Sequence, residues 1–332
     1  MDRNPPRGPI REGPGTPVTT ETPRTITARL SRGDRVYRAV TTSAAATVLV
    51  TIVLITVFLV LTAIPAIQRA GWSFFTTTAW NPDEPSGRFG IAAMMYGTAV
   101  TGLIAMVFTV PISIATAVFI NEYAPRALKG GLTTAVEVMA AIPSIIFAGW
   151  GLHVLIPFLD PMEKWAVDHL GGVFFVFEAR EIGSSFFNVG LVISLMAIPI
   201  TTSIMRAVLA QAPRHECEGA LALGATRWGM VRTVVLPFGR GGMIGASMLG
   251  LGRALGETMA ATLIFSFAFE IKPRLFENGG VTIASGIAIY FKESRELGLS
   301  ALMAAGAALF LVTFMINLLA ARVVDRAERA AR

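Results

Sequence analysis

Charge and cysteine are both scarce in this sequence. Only 15% of its 332 residues are charged, whereas an ordinary soluble domain carries about 25%. The deficit indicates that lipid, rather than water, surrounds much of the chain. The single cysteine, Cys217, excludes an internal disulfide and says nothing about the redox compartment.

Metal ligands and nucleotide-binding loops are equally sparse. The three histidines, at positions 153, 169 and 215, show no paired spacing of the kind that binds a metal ion. No aspartate lies inside the long apolar runs, which disfavours a membrane-embedded enzyme. None of the four lysines lies in a Gly-rich pattern that cradles a nucleotide phosphate. The chain is therefore predicted to have no catalytic residue, metal site or ATP site of its own.

Long hydrophobic runs are what the sequence has instead. A helix needs about 20 apolar residues to cross a bilayer core. Six runs reach that length, over residues 39–68, 89–121, 138–159, 182–205, 241–269 and 297–321. They predict an all-α integral membrane protein with one six-helix transmembrane domain over residues 39–322. Prolines inside the runs predict kinks or breaks at Pro111, Pro143 and Pro199.

The two ends of the chain differ from this domain. Residues 1–38 are rich in proline, glycine, threonine and arginine, with almost nothing apolar, and are predicted to be disordered. They are not a signal peptide, because the apolar run behind them has full spanning length. Residues 323–332 are predicted to be a short tail. The net charge of +6 does not indicate nucleic-acid binding, because the basic residues flank the hydrophobic runs.

The basic residues predict the orientation. Nineteen lysines and arginines lie in the two ends and in the second and fourth connecting segments, and eight lie in the first, third and fifth. Because cytoplasmic segments carry the excess of Lys and Arg, both termini are expected in the cytoplasm.

The fourth connecting segment, residues 211–237, has the most specific pattern. An amphipathic helix is predicted over 213–223, ended by Gly224, because glycine ends helices at low steric cost. A second short helix is predicted over 226–235 and stopped by Pro237. Two short helices meeting at a glycine would form a compact knob able to dock in a groove of another protein.

This segment resembles the EAA coupling loop of ABC importer permeases, which have the MetI-like fold. The match consists of Glu218, Gly219, Ala220, Gly224, Val234, Leu236 and Pro237. Gly219 departs from the central alanine of the family pattern, which weakens the first helix by up to ~1 kcal/mol. The resemblance implies that the chain docks onto separate ATPase subunits through this loop, and that those subunits bind ATP and magnesium.

Two charges interrupt the fifth run. Arg253 and Glu257 are four residues apart, which on a helix places them on one face where they can pair. A charge at membrane depth costs about 2.5–3.5 kcal/mol even on a lenient scale. Two compatible interpretations stay open. In the first, the two residues form a structural ion pair that organises helix packing. In the second, Arg253 is a cationic binding site for an anion on its path, and Glu257 holds and releases Arg253.

Three further strings resemble phosphate-importer permeases of the PstC type. They are PISIATAVFINEYAP at 111–125, AIPSIIFAGWGL at 141–152 and GLGRALGETMA at 250–260. The resemblance implies import of inorganic phosphate, with Arg253 and Glu257 on its path, in the plasma membrane of a prokaryote. It also implies a PstA-like second permease, two copies of a PstB-like ATPase and an external PstS-like phosphate-binding protein. A permease for sulfate or molybdate is the main alternative. A passive anion channel is less favoured because it would need no coupling loop.

Overall fold

The computed structural model describes residues 31–84, 87–172 and 174–330, with residues 323–330 described by backbone alone. The described residues are mainly helical and contain twelve α-helices. They are α1 Arg32–Ala70, α2 Ala92–Val118, α3 Arg126–Ala141, α4 Ser144–Trp150, α5 Ile156–Leu170, α6 Phe186–Leu209, α7 Arg214–Ala222, α8 Arg227–Met230, α9 Leu236–Leu255, α10 Met259–Ile264, α11 Ile283–Tyr290 and α12 Glu296–Ala330.

Three of these helices continue into a single π-helical turn, and two of the turns lead directly into the next helix. Such turns follow α2 at Phe119–Tyr123, α4 at Gly151–Leu155 and α8 at Val231–Val235. In addition, a 3-10 turn, Gly71–Phe75, follows α1. The joined helices are therefore longer than the individual α-helical segments.

Six helical stretches among the described residues are long and apolar enough to cross a membrane, as predicted. We call them spans 1 to 6, and they cover Arg32–Phe75, Ala92–Tyr123, Ser144–Leu170, Phe186–Leu209, Arg227–Leu255 and Glu296–Arg322. Each overlaps its predicted run.

Several boundaries differ from the predicted ones. Span 3 begins at Ser144, because Pro143 separates α3 from α4. Span 5 ends at Leu255, far short of the predicted residue 269. Helix α1 already begins at Arg32, so residues 32–38 are helical although they were predicted to be disordered; residues 1–30 of that segment lie outside the described residues.

The chain divides into two units, residues 1–54 and 55–332. The first contributes only the early part of α1 to the described structure. The second contains the helical core, in which α2, α6 and α9 pack on one another. Pro111 and Pro199 lie inside α2 and α6 without ending them.

Close approach of these three helices depends on small residues. A Cβ atom on Gly250 of α9 would lie only 2.6 Å from the Thr201 hydroxyl of α6, so only glycine allows this contact. Two hydroxyls also join α2 to α6, since Thr109 and Ser113 donate to backbone oxygens at 3.4 and 3.3 Å. Span 5 is thus held tightly against spans 2 and 4.

A hydroxyl inserted into α1 links it to α12. The Ser300 hydroxyl accepts a hydrogen bond from the Ala66 N–H at 3.0 Å and donates to the Thr62 oxygen at 2.7 Å. It therefore replaces one turn of the helical hydrogen-bond ladder beside Pro65, where a proline already weakens the ladder. The second half of span 1 is in this way attached to the start of span 6.

Candidate functional sites

The segment resembling a coupling loop has a helix on each side of a glycine, as predicted. Helix α7 ends in a left-handed glycine, Gly224, with φ of +87°. The Gly224 N–H donates to the Leu221 oxygen and the Ala225 N–H to the Ala220 oxygen, both at 3.0 Å. This is the Schellman arrangement that satisfies the last carbonyls of a helix. The Thr226 hydroxyl then caps α8 by accepting from the Gly229 N–H at 3.0 Å.

The prediction that Pro237 stops the second helix is wrong. The chain continues from α8 through the π turn into α9, which begins at Leu236. Pro237 lies in the first turn of α9, where its missing N–H removes no essential bond and its fixed φ suits the helix. Helical structure therefore runs without interruption from Arg227 in the loop to Leu255 in the membrane.

The loop has an anchored side and an exposed side. Met230, Val231 and Val235 are buried in a cluster with Met205 and Leu209 of α6. On the other side, Leu223 is 92% exposed and Trp228 is 56% exposed. Exposed apolar side chains on a firmly anchored knob are typical of a docking surface.

The seven residues of the family pattern divide between these two sides. Glu218, Gly219 and Gly224 are exposed, with open space around both glycines. The remaining four, Ala220, Val234, Leu236 and Pro237, are partly buried. The pattern thus combines positions that face a partner with positions that fasten the loop to its own domain.

A cluster of carboxylates surrounds the single cysteine in this loop. Cys217 is partly buried, and burial raises the pKa of its thiol. The nearby carboxylates of Glu122, Glu216 and Glu218 raise this pKa further, because they disfavour a second negative charge. Glu122 belongs to the π turn that ends span 2. Within the described residues, no group of three or more His, Cys, Asp or Glu side chains could hold a metal ion.

The predicted pairing of Arg253 with Glu257 is not found. Helix α9 ends at Leu255, and Gly256 leaves the helical conformation with φ −90° and ψ 0°. Because the helix does not continue, the four-residue spacing no longer places the two side chains on one face. The Glu257 carboxylate instead accepts a hydrogen bond from the Ala260 N–H at 3.4 Å, within the first turn of α10.

Arg253 is consequently left without a partner in the described part of the chain. Its side chain is partly buried, and its buried Nε atom has no hydrogen-bond acceptor. A buried donor without an acceptor costs about 1–3 kcal/mol. A partly buried, positively charged side chain without an internal partner, in the last turn of a membrane span, is a candidate anion-binding group.

A groove of about 430 Å³ lies beside this helix end. On the α9 side it is lined by Gly252 and Gly256, the glycines that flank Arg253 in sequence. On the α12 side it is lined by Thr313 and Asn317 among apolar residues. Sequence reasoning missed Asn317, although an amide inside the sixth apolar run was a signal that this face does not meet lipid alone.

A comparison with models of protein families shows which family this chain belongs to. Residues 109–332 match the model of the family "binding-protein-dependent transport system inner membrane component". The chain belongs to this family. With six helices suited to crossing a membrane among the residues that the structure describes, this inner membrane component is a multi-pass membrane protein and a transport subunit rather than an enzyme.

Relatives of this inner membrane component are named for phosphate transport. It is 41% identical to "phosphate transport system permease protein PstC 2" of Mycobacterium tuberculosis, over 86% of this chain and 90% of that protein. It is 39% identical to "phosphate transport system permease protein PstC" of Xylella fastidiosa, over 94% of this chain and 97% of that protein.

Solved structures confirm the fold. A bacterial ABC transporter that imports the acidic polysaccharide alginate matches with a TM-score of 0.55 and 19% identity, over 88% of this chain and 99% of that chain. The inward-facing MetNI methionine ABC transporter matches with a TM-score of 0.51 and 18% identity, over 72% of this chain and 94% of that chain. The MetI-like permease fold expected from the coupling loop is therefore confirmed.

Proposed function

We propose that this chain is the membrane-spanning permease subunit of an ABC importer that moves inorganic phosphate into the cytoplasm. The observation that carries the proposal is the unpartnered Arg253 at the end of a helix that begins in the coupling loop. The phosphate permeases that resemble the chain over most of its length support the choice of substrate.

Arg253 is suited to bind phosphate. Its guanidinium group is planar, stays charged and offers two parallel N–H donors that match two phosphate oxygens. It makes no internal ion pair in the described structure, so no carboxylate must be displaced before an anion binds. The sequence suggested that Glu257 holds and releases Arg253, but we propose a different role for Glu257. It holds the first turn of α10 and so maintains the break that exposes the end of α9.

Continuous helical structure provides a route from ATP hydrolysis to this site. A partner ATPase that moved the exposed side of the loop would act on α8, and the helical run from Arg227 to Leu255 would carry the displacement toward Arg253. Because α9 is closely packed on α2 and α6, a shift of the helix would change the groove beside Gly252 and Gly256. This is the physical basis we propose for alternating access.

The proposed assembly contains a PstA-like second permease, two PstB-like ATPase copies that bind ATP and magnesium, and an external PstS-like phosphate-binding protein. The family description names dependence on a binding protein. The alginate transporter, which shares the fold, has been solved with a substrate-bound periplasmic protein. We further propose that both termini are cytoplasmic, as the distribution of Lys and Arg indicates, so that the coupling loop faces the ATPases.

A transport assay tests the proposal against its main alternative, a sulfate or molybdate permease. The complex, reconstituted in proteoliposomes with ATP inside and its binding protein outside, should accumulate radiolabelled phosphate. Unlabelled sulfate and molybdate in excess should leave this uptake unchanged. ATP-dependent accumulation of sulfate or molybdate without phosphate uptake would contradict the proposed substrate. Any ATP hydrolysis by this chain alone would contradict its assignment as a permease subunit.

A further inference from the structure

A carboxyl group that the proposed transport path does not use is buried near the end of span 3. Glu163 lies in α5 and is 1% exposed, although its neighbours Met162 and Lys164 are exposed. Of the charged side chains that the structure describes, it is the only fully buried one. Its buried Oε1 atom has no hydrogen-bond partner. Because a buried charge is costly unless it is paired, this carboxyl group needs an explanation.

The side chain of Asn188, in the first turn of α6, is the hydrogen-bonding neighbour of Glu163. Asn188 is completely buried, and its Nδ2 atom donates to the Gly183 oxygen at 2.8 Å. Because a carbonyl oxygen can only accept, this bond fixes the amide with its nitrogen toward Gly183. Asn188 Oδ1 is then an acceptor, and it too is buried without a partner. Two neighbouring side chains therefore each present a buried acceptor atom that lacks a donor.

One proton would satisfy both acceptors. An ionised carboxylate can only accept hydrogen bonds, whereas a protonated carboxyl group has an O–H that donates. We infer that Glu163 is a proton-binding site, whose carboxyl group is protonated in the folded protein and donates a hydrogen bond to Asn188 Oδ1. The proton is taken from water, and the side chain becomes neutral. The inference does not depend on the substrate of the transporter.

Burial favours the neutral carboxyl group over the charged one. Moving an ionised carboxylate out of water costs more free energy than one hydrogen bond to the charged group returns. The second N–H of Asn188 could stabilise the charged form, but only by that smaller amount. The negative charge of Asp160, one turn earlier in α5, also acts on Glu163 and opposes a second negative charge beside it.

The other charged groups in this part of the molecule do not neutralise Glu163. Asp160 itself pairs with Lys164 at 2.6 Å, and the 3-10 turn Phe175–Phe177, which packs on α5, carries no charge. The charged or titratable groups of the neighbouring segments are exposed or paired elsewhere, namely His153, Glu178, Arg180, Glu181, Arg206 and Arg274. Among the described residues, Glu163 therefore has no salt-bridge partner.

The bound proton would join two spans. Asn188 is held in the first turn of span 4, where its backbone N–H donates to the Ser185 hydroxyl at 3.3 Å. A hydrogen bond from Glu163 would attach the later part of span 3 to this fixed turn. In the unfolded chain the same glutamate meets water and loses its proton above about pH 4.3. Because the folded state then binds one proton more than the unfolded state, stability should fall with rising pH until the folded protein also releases the proton.

The test uses the full chain purified in detergent. Infrared difference spectra between wild type and Glu163→Gln at neutral pH should contain the C=O stretch of a protonated carboxylic acid. Thermal unfolding should show that the Tm of wild type falls by a few degrees per pH unit relative to Glu163→Gln, whose amide donates without titrating, from about pH 5 upward. The matched control is Asp168→Asn, which changes an exposed carboxylate of the same helix and should behave as wild type in both measurements.

Three results would each overturn part of the inference. Absence of the protonated band, or a constant Tm difference between wild type and Glu163→Gln at every pH, would show that Glu163 holds no proton. Glu163→Met has a similar size but no donor, so its Tm should lie below that of Glu163→Gln; equal values would exclude the hydrogen bond to Asn188. A rise in Tm with Na⁺ or Ca²⁺ that Glu163→Gln abolishes would identify a bound cation in place of the proton.

Discussion

The Asp83 carboxylate caps the sixth transmembrane helix at Gly298. Its Oδ1 atom accepts a hydrogen bond from the Gly298 N–H at 3.0 Å, and its Oδ2 atom accepts one from the Arg295 N–H at 3.0 Å. Asp83 lies in the connection after span 1, more than 200 residues earlier in the sequence. Because the first N–H groups of a helix have no partner inside it, the carboxylate satisfies one of them at Gly298, together with the N–H of Arg295 just before the helix, and balances the positive end of the helix dipole.

Asp83→Ala is therefore expected to destabilise the domain. Loss of a capping carboxylate costs about 1–2 kcal/mol, and Asp83→Asn should cost less because the amide oxygen still accepts one bond. Gly298→Ala should have a similar effect, since a Cβ there would lie 2.6 Å from Asp83 Oδ2. Thermal unfolding in detergent measures all three. Substitution of Glu84, the exposed neighbour, by Ala is the control, and equal Tm values for Asp83→Ala and the control would contradict the cap.

Substitution of Arg253 should separate transport from assembly. Arg253→Gln is expected to abolish phosphate uptake while the complex still assembles, because no internal ion pair is lost. Arg253→Lys should retain a fraction of the uptake, since it keeps the charge but loses the two parallel donors. Arg240→Gln, which changes an exposed arginine of the same helix, is the matched control.

Exchange of the two charges tests the alternative of a structural ion pair. The double variant Arg253→Glu/Glu257→Arg should remain inactive, because the structure shows no contact that the exchange could restore. Uptake and co-purification of the partner subunits are the measurements. Wild-type uptake by Arg253→Gln, or recovery by the exchanged pair, would refute the role of Arg253 in anion binding.

Two glycines of the coupling loop should respond differently to the same substitution. Gly224→Ala forces a side chain into the left-handed region at φ +87°, which costs about 1 kcal/mol or more and disturbs the turn between α7 and α8. Gly219→Ala lies in a helix with open space around it, and should be tolerated or slightly stabilising. Coupling, measured as phosphate transported per ATP hydrolysed, should fall for Gly224→Ala and stay at the wild-type level for Gly219→Ala.

Charge and size at the exposed side of the loop provide a second test of docking. Glu218→Lys and Leu223→Asp change exposed side chains that make no contact with the core, so insertion and stability should be unchanged. Both should weaken co-purification of the ATPase. Normal transport by both variants with the ATPase bound would show that the exposed side of the loop is not the docking surface.

Chemical labelling tests the proposed orientation. On a Cys217→Ser background, Trp72→Cys and Leu223→Cys introduce thiols at positions that are 88% and 92% exposed. A membrane-impermeant maleimide should label the first in intact cells and the second only after the membrane is opened. Labelling of Leu223→Cys in intact cells would place the coupling loop outside and contradict cytoplasmic termini.

The native thiol should react slowly at neutral pH. Maleimides react with the thiolate, and burial together with neighbouring carboxylates raises the pKa of Cys217 above its ordinary value. Raising the pH through that pKa should therefore increase the labelling rate in opened membranes. Glu218→Gln removes one of the neighbouring charges and should speed labelling at a given pH; an unchanged rate would show that this carboxylate does not act on the thiol.

The sequence predicted the elements whose physical cause is local. Six spans follow from hydropathy alone, since a bilayer requires about 20 apolar residues per helix whatever the neighbours are. The end of α7 in the coupling loop follows from Gly224, because the backbone freedom of glycine ends a helix at low cost. The spacing of the loop residues also predicted the family that the comparisons confirm.

Local sequence patterns did not predict features that depend on the direction of the backbone or on contacts between distant residues. Pro237 can stop a helix or begin one, and only its position after the π turn shows that it begins α9. The fifth apolar run continues past Gly256, whereas helix α9 ends at Leu255. Hydropathy alone does not report such a change of backbone direction. For this reason the sequence analysis predicted an ion pair between Arg253 and Glu257. In the structure the two side chains are not paired, and the buried Nε atom of Arg253 has no hydrogen-bond partner among the described residues.

The membrane class, the number of spans and the coupling loop were thus determined by the sequence itself, because each depends on residues close together along the chain. Tertiary structure alone decided that Asp83 caps span 6, that Ser300 bonds to α1 beside Pro65 and that Thr313 and Asn317 line a groove together with Gly252 and Gly256. These relationships join residues that are far apart in the chain, and many packings satisfy the same apolar pattern. Only the close contacts of the helices and their connections select one of them.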